Sequence, residues 1–272
     1  MSLEKIWAAL LAVEEAESLP SWRVGDVYLW QVIRERLYTH IAEQLGLYQP
    51  VPAKEPIQQQ REVPIQESAV AVLPFVRRDA AGSDPFSVGI IAAAEKIAGP
   101  ALVFGIGASD VGSGLPQFET LDKLFIQRAR FAAKLRVVTT QRKHHAETWA
   151  RVISYLETEL SVDLAKYRAF PRWLLVDFIS REKGWYSLFR TSKSKVLFAV
   201  NAWQLPTVAG AKRAGLRVIE PQHGVISSMH PRLAWKDEIG GAYLPDEFWQ
   251  WGSYWGEALP ASVKRVTIGA PT

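Results

Sequence analysis

The chain has 272 residues, 48% hydrophobic and 22% charged, with 32 Lys and Arg against 28 Asp and Glu for a formal net charge of +4. That is a globular composition, and the length lies above the ~100–150 residue mode of single domains, so one large domain or two small ones are both open. No apolar run reaches the ~18–20 residues that a bilayer crossing needs, and the absence of cysteine excludes disulfides, thiolate zinc sites, iron–sulfur clusters and cysteine nucleophiles.

The opening Met1-Ser2-Leu3-Glu4-Lys5 lacks the pattern of a signal peptide, because Glu14, Glu15 and Glu17 interrupt the apolar stretch that follows. With no disulfides to form, a cytoplasmic location is expected. The basic excess is mild: the densest cluster, Arg181 to Lys195, holds five Lys or Arg in fifteen residues, too sparse for a nucleic-acid-binding stripe. The unusual feature is aromatic. The chain has 11 Trp, a residue that fills cores and stacks on sugars.

Leu3, Ile6, Trp7, Leu10, Leu11 and Val13 recur at the spacing of one buried helix face. After a turn at Leu19-Pro20, Trp30, Ile33, Leu37, Ile41 and Leu45 predict a second helix, with Arg34, Glu35, Glu43 and Gln44 on its polar side and Gly46 as its stop. Residues 50–66, rich in Pro, Gln and Glu without a period, read as a linker. Ala69 to Phe75 is a strand emptying into the Arg77-Arg78-Asp79 loop, Asp84-Pro85 starts a helix that Gly99-Pro100 stops, and Ala101 to Gly105 is the next strand. Helices are expected over Thr120–Ala133 and Gln141–Leu160 with a strand at Leu135–Thr139 between them, and another helix over Pro171–Arg181. Strands at Lys195–Asn201, Leu216–Pro221, Phe248–Gly252 and Val263–Gly269 then alternate with helices at Leu205–Ala214 and Ser253–Leu259.

This alternation predicts an α/β fold, a Rossmann-like doubly wound and mainly parallel sheet over 67–272, with an N-terminal helical appendage over 1–49. The tryptophan-bearing N-terminal helices are expected to pack on the α/β domain, the alternative being to lie on the inner face of a membrane.

Ligands of such sheets gather beyond the carboxyl ends of the strands, and the richest loop there is Glu220-Pro221-Gln222-His223-Gly224-Val225-Ile226-Ser227-Ser228-Met229-His230-Pro231. It combines a carboxylate, an amide, two imidazoles, two hydroxyls and a glycine. His223 or Glu220 is the candidate general base, and Gln222, Gly224, Ser227 and His230 are candidate ligand contacts; the alternative is that Glu220 and His223 bond only the turn. Arg77, which either meets a phosphate or acidic sugar or is a solvated loop charge closing the strand, and Gly105, in a Gly105-Ile106-Gly107 loop, are further candidates. The third glycine of a dinucleotide fingerprint is missing, and no P-loop, zincin or nucleophile-elbow motif occurs. His144 and His145, adjacent on a helix, point apart and read as a solvated surface. Of Trp249, Trp251 and Trp255, expected mainly in the core, Trp255 is the one expected to face a cleft.

The runs Glu220-Pro-Gln-His-Gly-Val, Tyr243-Leu-Pro-Asp246, Phe248-Trp-Gln-Trp-Gly-Ser-Tyr-Trp255 and Val266-Thr-Ile-Gly269-Ala-Pro271, with the Val27–Tyr38 stretch, resemble bacterial GT-B glycosyltransferases of capsular polysaccharide and lipopolysaccharide synthesis. The resemblance implies an acceptor-side domain facing a cleft, a nucleotide-sugar donor as co-substrate with no other cofactor, and a glycan or lipid-linked glycan acceptor. It implies His223 as the base, with Glu220 orienting the imidazole or acting itself, and no metal, since no Asp-x-Asp motif is present. In that family the Val266–Pro271-like strand closes the first domain and a donor domain follows, so 1–272 is expected to be the acceptor half. Two other readings stand beside this one: a non-catalytic glycan-binding or assembly module using the same loop and tryptophans, and a small-molecule α/β enzyme with its site in the Gly105–Gly114 loop.

Overall fold

The computed structural model describes residues 2–48, 65–74, 84, 86–106, 115–141, 143–200, 204–235 and 239–269. Helix α1 (Leu3–Glu17) starts at Ser2, whose hydroxyl accepts from the Lys5 N–H, and α2 (Leu29–Gln44) stops at Gly46, which takes the left-handed φ of 68°. Between them lie a 3-10 turn (Leu19–Ser21) and a small hairpin of β1 (Arg23–Val24) and β2 (Val27–Tyr28), where the sequence pattern indicates only a turn.

Among the described residues, six parallel strands form the main sheet: β3 (Val70–Leu73), β4 (Leu102–Val103), β5 (Val196–Ala199), β6 (Arg217–Pro221), β7 (Glu247–Gln250) and β8 (Lys264–Thr267). Their order is β4-β3-β5-β6-β7-β8, the doubly wound, Rossmann-like arrangement expected from the pattern. The chain steps from β3 to β4 on one side and then crosses to β5 on the other. The reversal therefore falls between β3 and β5, and the crevice of such a sheet opens at its carboxyl edge there.

Strand alternation sends Ala71, Leu73, Leu197, Ala199 and Val218 to one face, where Trp185 and Phe189 of α7 (Arg172–Ser192) fill the layer together with α4 (Phe118–Thr140) and α8 (Leu205–Arg213). Val70, Val72 and Phe198 point the other way, toward α3 (Val88–Ala98). Asp84 accepts from the Phe86 N–H ahead of α3, and Gly99, at φ 80°, ends it. Helices α7 and α8 touch backbone to backbone at Gly210, where a Cβ would stand 2.8 Å from the Tyr186 nitrogen and 2.9 Å from the Glu182 oxygen.

Several sequence expectations are corrected. Leu135–Thr139 is no strand: α4 runs on through Thr140, because Ala133 and Val137 lie four apart on one buried helix face, whereas a strand would have faced Leu135 and Val137 the same way. Helix α5 (Lys143–Leu160) does not cover the sheet; it packs with α1 and α2, the short α6 (Ala165–Arg168) and the start of α7 in a shared second core. His145 is buried there between Trp22, 6.2 Å away, and Phe170, 6.4 Å away, while His144 stays outside. The helix expected over Ser253–Leu259 is a 3-10 turn at Ser253–Gly256. Of the predicted linker only Ile65 and Gln66 belong to the described residues. Trp7, Trp22 and Trp30 are all buried, so the N-terminal tryptophans are used in packing. Among the described residues, no helix is long and apolar enough to cross a membrane.

Arg34, expected on the polar side of α2, is fully buried. Its Nε lies 2.9 Å from Glu14 Oε1, its Nη2 donates to the Ala234 carbonyl at 2.9 Å, and its guanidinium lies between the rings of Trp7 and Trp235 at 4.4 and 3.9 Å. Trp30 Nε1 donates to the same Glu14 oxygen at 2.7 Å. Burial lowers the Arg34 pKa to about 10, with Glu14 acting in the opposite direction. An ion taken out of water leaves a large penalty behind when its partner is removed. Arg34→Ala is therefore expected to lower the unfolding free energy by about 3–5 kcal/mol, read by urea denaturation; a loss under about 1 kcal/mol, the range of an exposed pair, would contradict this role.

Candidate functional site

Beyond the carboxyl end of β6, the chain turns at Gln222 and His223. Glu220, the fourth residue of that strand, is completely buried and receives both arms of the Arg232 guanidinium, Nη2 at 2.8 Å and Nη1 at 3.4 Å. Arg232 is itself buried. Such a two-pronged pair fixes orientation as well as charge, and Glu220 is thereby enclosed as an anchor below the loop. His223 keeps part of its ring in solvent and turns Nδ1 toward the Pro221 carbonyl, 3.5 Å away, and toward Glu220 Oε1, 4.0 Å away. A proton on Nδ1 directed at these two acceptors leaves the lone pair on Nε2, the tautomer a general base requires.

Gln222 is buried and both ends of its amide serve the loop. Its Nε2 donates to the Gly224 carbonyl at 2.9 Å, its Oε1 accepts from the Trp251 N–H at 2.8 Å, and its own N–H reaches the Trp249 carbonyl at 2.7 Å. It staples the end of β6 to the end of β7. A Cβ at Gly224 would meet nothing within 4 Å, so no neighbouring chain demands the glycine. Ser227 is exposed and its Oγ accepts from the Met229 N–H at 3.3 Å. His230 accepts through Nδ1 from the Arg232 and Leu233 N–H groups, each at 3.3 Å, and so caps the turn leading to Trp235. Burial, followed by the charges of Arg232, His223 and Arg34, pushes its pKa down to about 3, which keeps the ring neutral.

On the same edge of the sheet a cleft of about 820 Å³ opens between α2, the α6–α7 region and the start of α8, lined among others by Glu35, Arg36, His40, Tyr167, Arg181 and Gln204. A second cavity of about 360 Å³ lies at the carboxyl ends of β3 and β4, against the first turns of α4, and shares Arg36, Arg181 and Gln204 with the cleft. Arg181 lies between Asp122 Oδ2 at 2.6 Å and Asp177 Oδ2 at 3.1 Å. Burial lifts the Asp122 carboxyl to about 6 even though Arg181 and the Trp185 Nε1–H, 2.8 Å away, favour its ionised form.

The described linings of the two cavities do not include His223. The link is Glu35, a residue that composition did not single out: it lines the cleft and lies within electrostatic reach of both Arg232 and Glu220. Burial raises its pKa, opposed by Arg232 and Arg36. The only signal in the sequence was its place beside Arg34, and nothing in the helical pattern marks that neighbour as buried.

Among the remaining candidates, Gly105 is buried, accepts from the Phe118 N–H at 3.0 Å and closes a one-residue bridge to Gln117 at the start of α4. Trp255 is half-buried beside the Tyr254 ring at 5.6 Å, remote in sequence from the β6 loop but also beyond a carboxyl strand end, that of β7. Arg77 and most of the Gly105–Gly114 loop lie outside the described residues. Among the described residues, no three His, Asp or Glu side chains gather into a group suited to a metal ion. Comparison with protein-family models, with curated proteins and with solved structures finds no match to this chain.

His230 gives the site a pH signature. The unfolded chain takes up a proton below the ordinary value of 6.5, whereas the folded chain refuses it down to about 3. Stability is therefore lost as pH falls through that window, at up to about 1.4 kcal/mol per pH unit. Asp122 acts in the opposite sense, its contribution being lost as pH rises from 3.8 through about 6. Asn in place of His230 offers an oxygen where Nδ1 stands but does not titrate. His230→Asn is expected to flatten the acid-side decline of the urea-unfolding free energy; an unchanged slope would contradict this by showing that His230 takes up its proton alike in the folded and unfolded chains.

Proposed function

We propose that this chain is the acceptor-side domain of a GT-B type glycosyltransferase that uses a nucleotide sugar in bacterial surface-polysaccharide synthesis, with His223 as the base. The observation that carries this reading is the part-exposed His223 imidazole at the carboxyl edge of a doubly wound sheet, its Nδ1 turned toward Pro221 and Glu220 over a buried Glu220–Arg232 pair. The resemblance of the Glu220–Val225 run to that family supports the same assignment.

On this reading an acceptor hydroxyl gives its proton to His223 Nε2 as the oxygen attacks the anomeric carbon of the donor sugar. The bond from that carbon to the nucleotide's phosphate oxygen breaks, and the nucleotide leaves with the electron pair. Glu220 acts as a positioning residue: it holds the ring's orientation and stabilises the imidazolium without touching the acceptor. The glycan or lipid-linked glycan acceptor enters along the α2 cleft, where Glu35, Arg36 and Gln204 offer donors and acceptors to its hydroxyl groups. The proposed setting is cytoplasmic.

Transfer from UDP-, GDP- or CMP-sugars to a glycan acceptor, measured on the natural gene product, is expected to fall by about 10²–10⁴-fold in His223→Ala, with the circular dichroism unchanged. Undiminished sugar transfer by that variant would overturn the base assignment.

A further inference from the structure

We propose that the outer face of α4, together with the first turn of α7, is a docking surface for an anionic lipid bilayer. Three large apolar side chains on α4 point outward in one stripe, Phe131 at 75% exposure, Leu135 at 54% and Val138 at 65%. Their spacing of four and then three residues puts them on a single face. Trp173, at the start of α7, is 56% exposed and shares a groove of about 490 Å³ with Val138.

The charge around this stripe is predominantly basic. From Lys123 to Thr140 the sequence has five basic residues and no acidic one. Arg136 is neutralised by Asp26, but Arg130, Lys134 and Arg172 stand on the rim of the apolar groove, where among the described residues Asp177 is the single acidic one lining it. An exposed helix face that joins large apolar residues to flanking Arg and Lys lies in the interfacial plane of a bilayer, with its apolar side among the acyl chains and its cations at anionic headgroups. Tryptophan favours the same boundary. A second copy of the chain fits less well, because a self-complementary contact on this stripe would bring two patches that each carry Arg130, Lys134 and Arg172 together.

This surface is separate from the buried N-terminal tryptophans, and the inference stands on its own observations rather than on the transferase reading. The test is co-sedimentation of the 272-residue chain with phosphatidylcholine vesicles, with and without phosphatidylglycerol. Binding is expected on the phosphatidylglycerol-containing vesicles, weaker on phosphatidylcholine alone and weakened by added salt. The double variant Phe131→Ser/Leu135→Ser is expected to lower the partition coefficient by about tenfold or more. Lys134→Glu, which alters no buried contact, is expected to lower it as well and serves as the check if the double variant proves unstable. No binding to phosphatidylglycerol vesicles, or binding that the variants leave unchanged, would overturn the proposal. So would a concentration-dependent dimer that Phe131→Ser/Leu135→Ser dissolves, since the stripe would then belong to a second copy.

Discussion

Arg34 sits where three parts of the chain meet: Trp7 and Glu14 of α1, its own helix α2, and the Ala234–Trp235 turn that follows the β6 loop. A buried ion pair gains little net stability, because desolvation offsets most of the attraction. Here the cation also has a carbonyl acceptor and two aromatic faces, so the arrangement fixes one orientation of α2 over the carboxyl edge of the sheet. The next two residues, Glu35 and Arg36, then face the cleft. Without that fixed helix the crevice between β3 and β5 would lack its outer wall.

The sheet was readable in the sequence because its strands are short apolar runs bounded by turn residues. Val70–Leu73 and Arg217–Pro221 fall inside the expected strands, and Gly99 ends α3 where it should. The error at Leu135–Thr139 has a physical cause: β-branched residues at the end of a helix look like a strand when only local composition is read. In α4 the threonines are accommodated by hydroxyls that donate back to the preceding turn, Thr140 to the Arg136 carbonyl at 2.8 Å. The packing partner of α5 is not readable for a different reason: its apolar face carries no label for which surface it will meet.

The site was legible in part. The β6 loop was found because ligands of doubly wound sheets collect beyond strand ends, and the structure brings Glu220, Gln222, His223 and His230 into one compact turn. Composition did not distinguish the buried Glu220 and Gln222, committed to Arg232 and to the β7 end, from the part-exposed His223. It also placed Arg34 with the polar residues, since burial of an arginine depends on Trp235, some two hundred residues away. The charges lining the cleft balance in sign, Glu35, Glu43 and Asp177 against Arg36, Lys166 and Arg181, and Arg181 is paired with Asp177. That balance suits a hydroxyl-rich ligand better than a polyanion, and Asp177 lines both the cleft and the apolar groove beside α4, so a bilayer-bound acceptor would present its headgroup next to the cleft.

The central claim is that the β6 loop and the α2 cleft form one ligand site. The chain carries 5 histidines, and they are natural probes: His223 stands in the loop, His40 lines the cleft, and His144 lies away from both. Imidazole proton resonances followed by NMR during titration with neutral and acidic oligosaccharides test the claim directly. The account predicts that the His223 and His40 signals move together along one saturation curve while His144 stays still; movement of His40 without His223, or of neither, would contradict it.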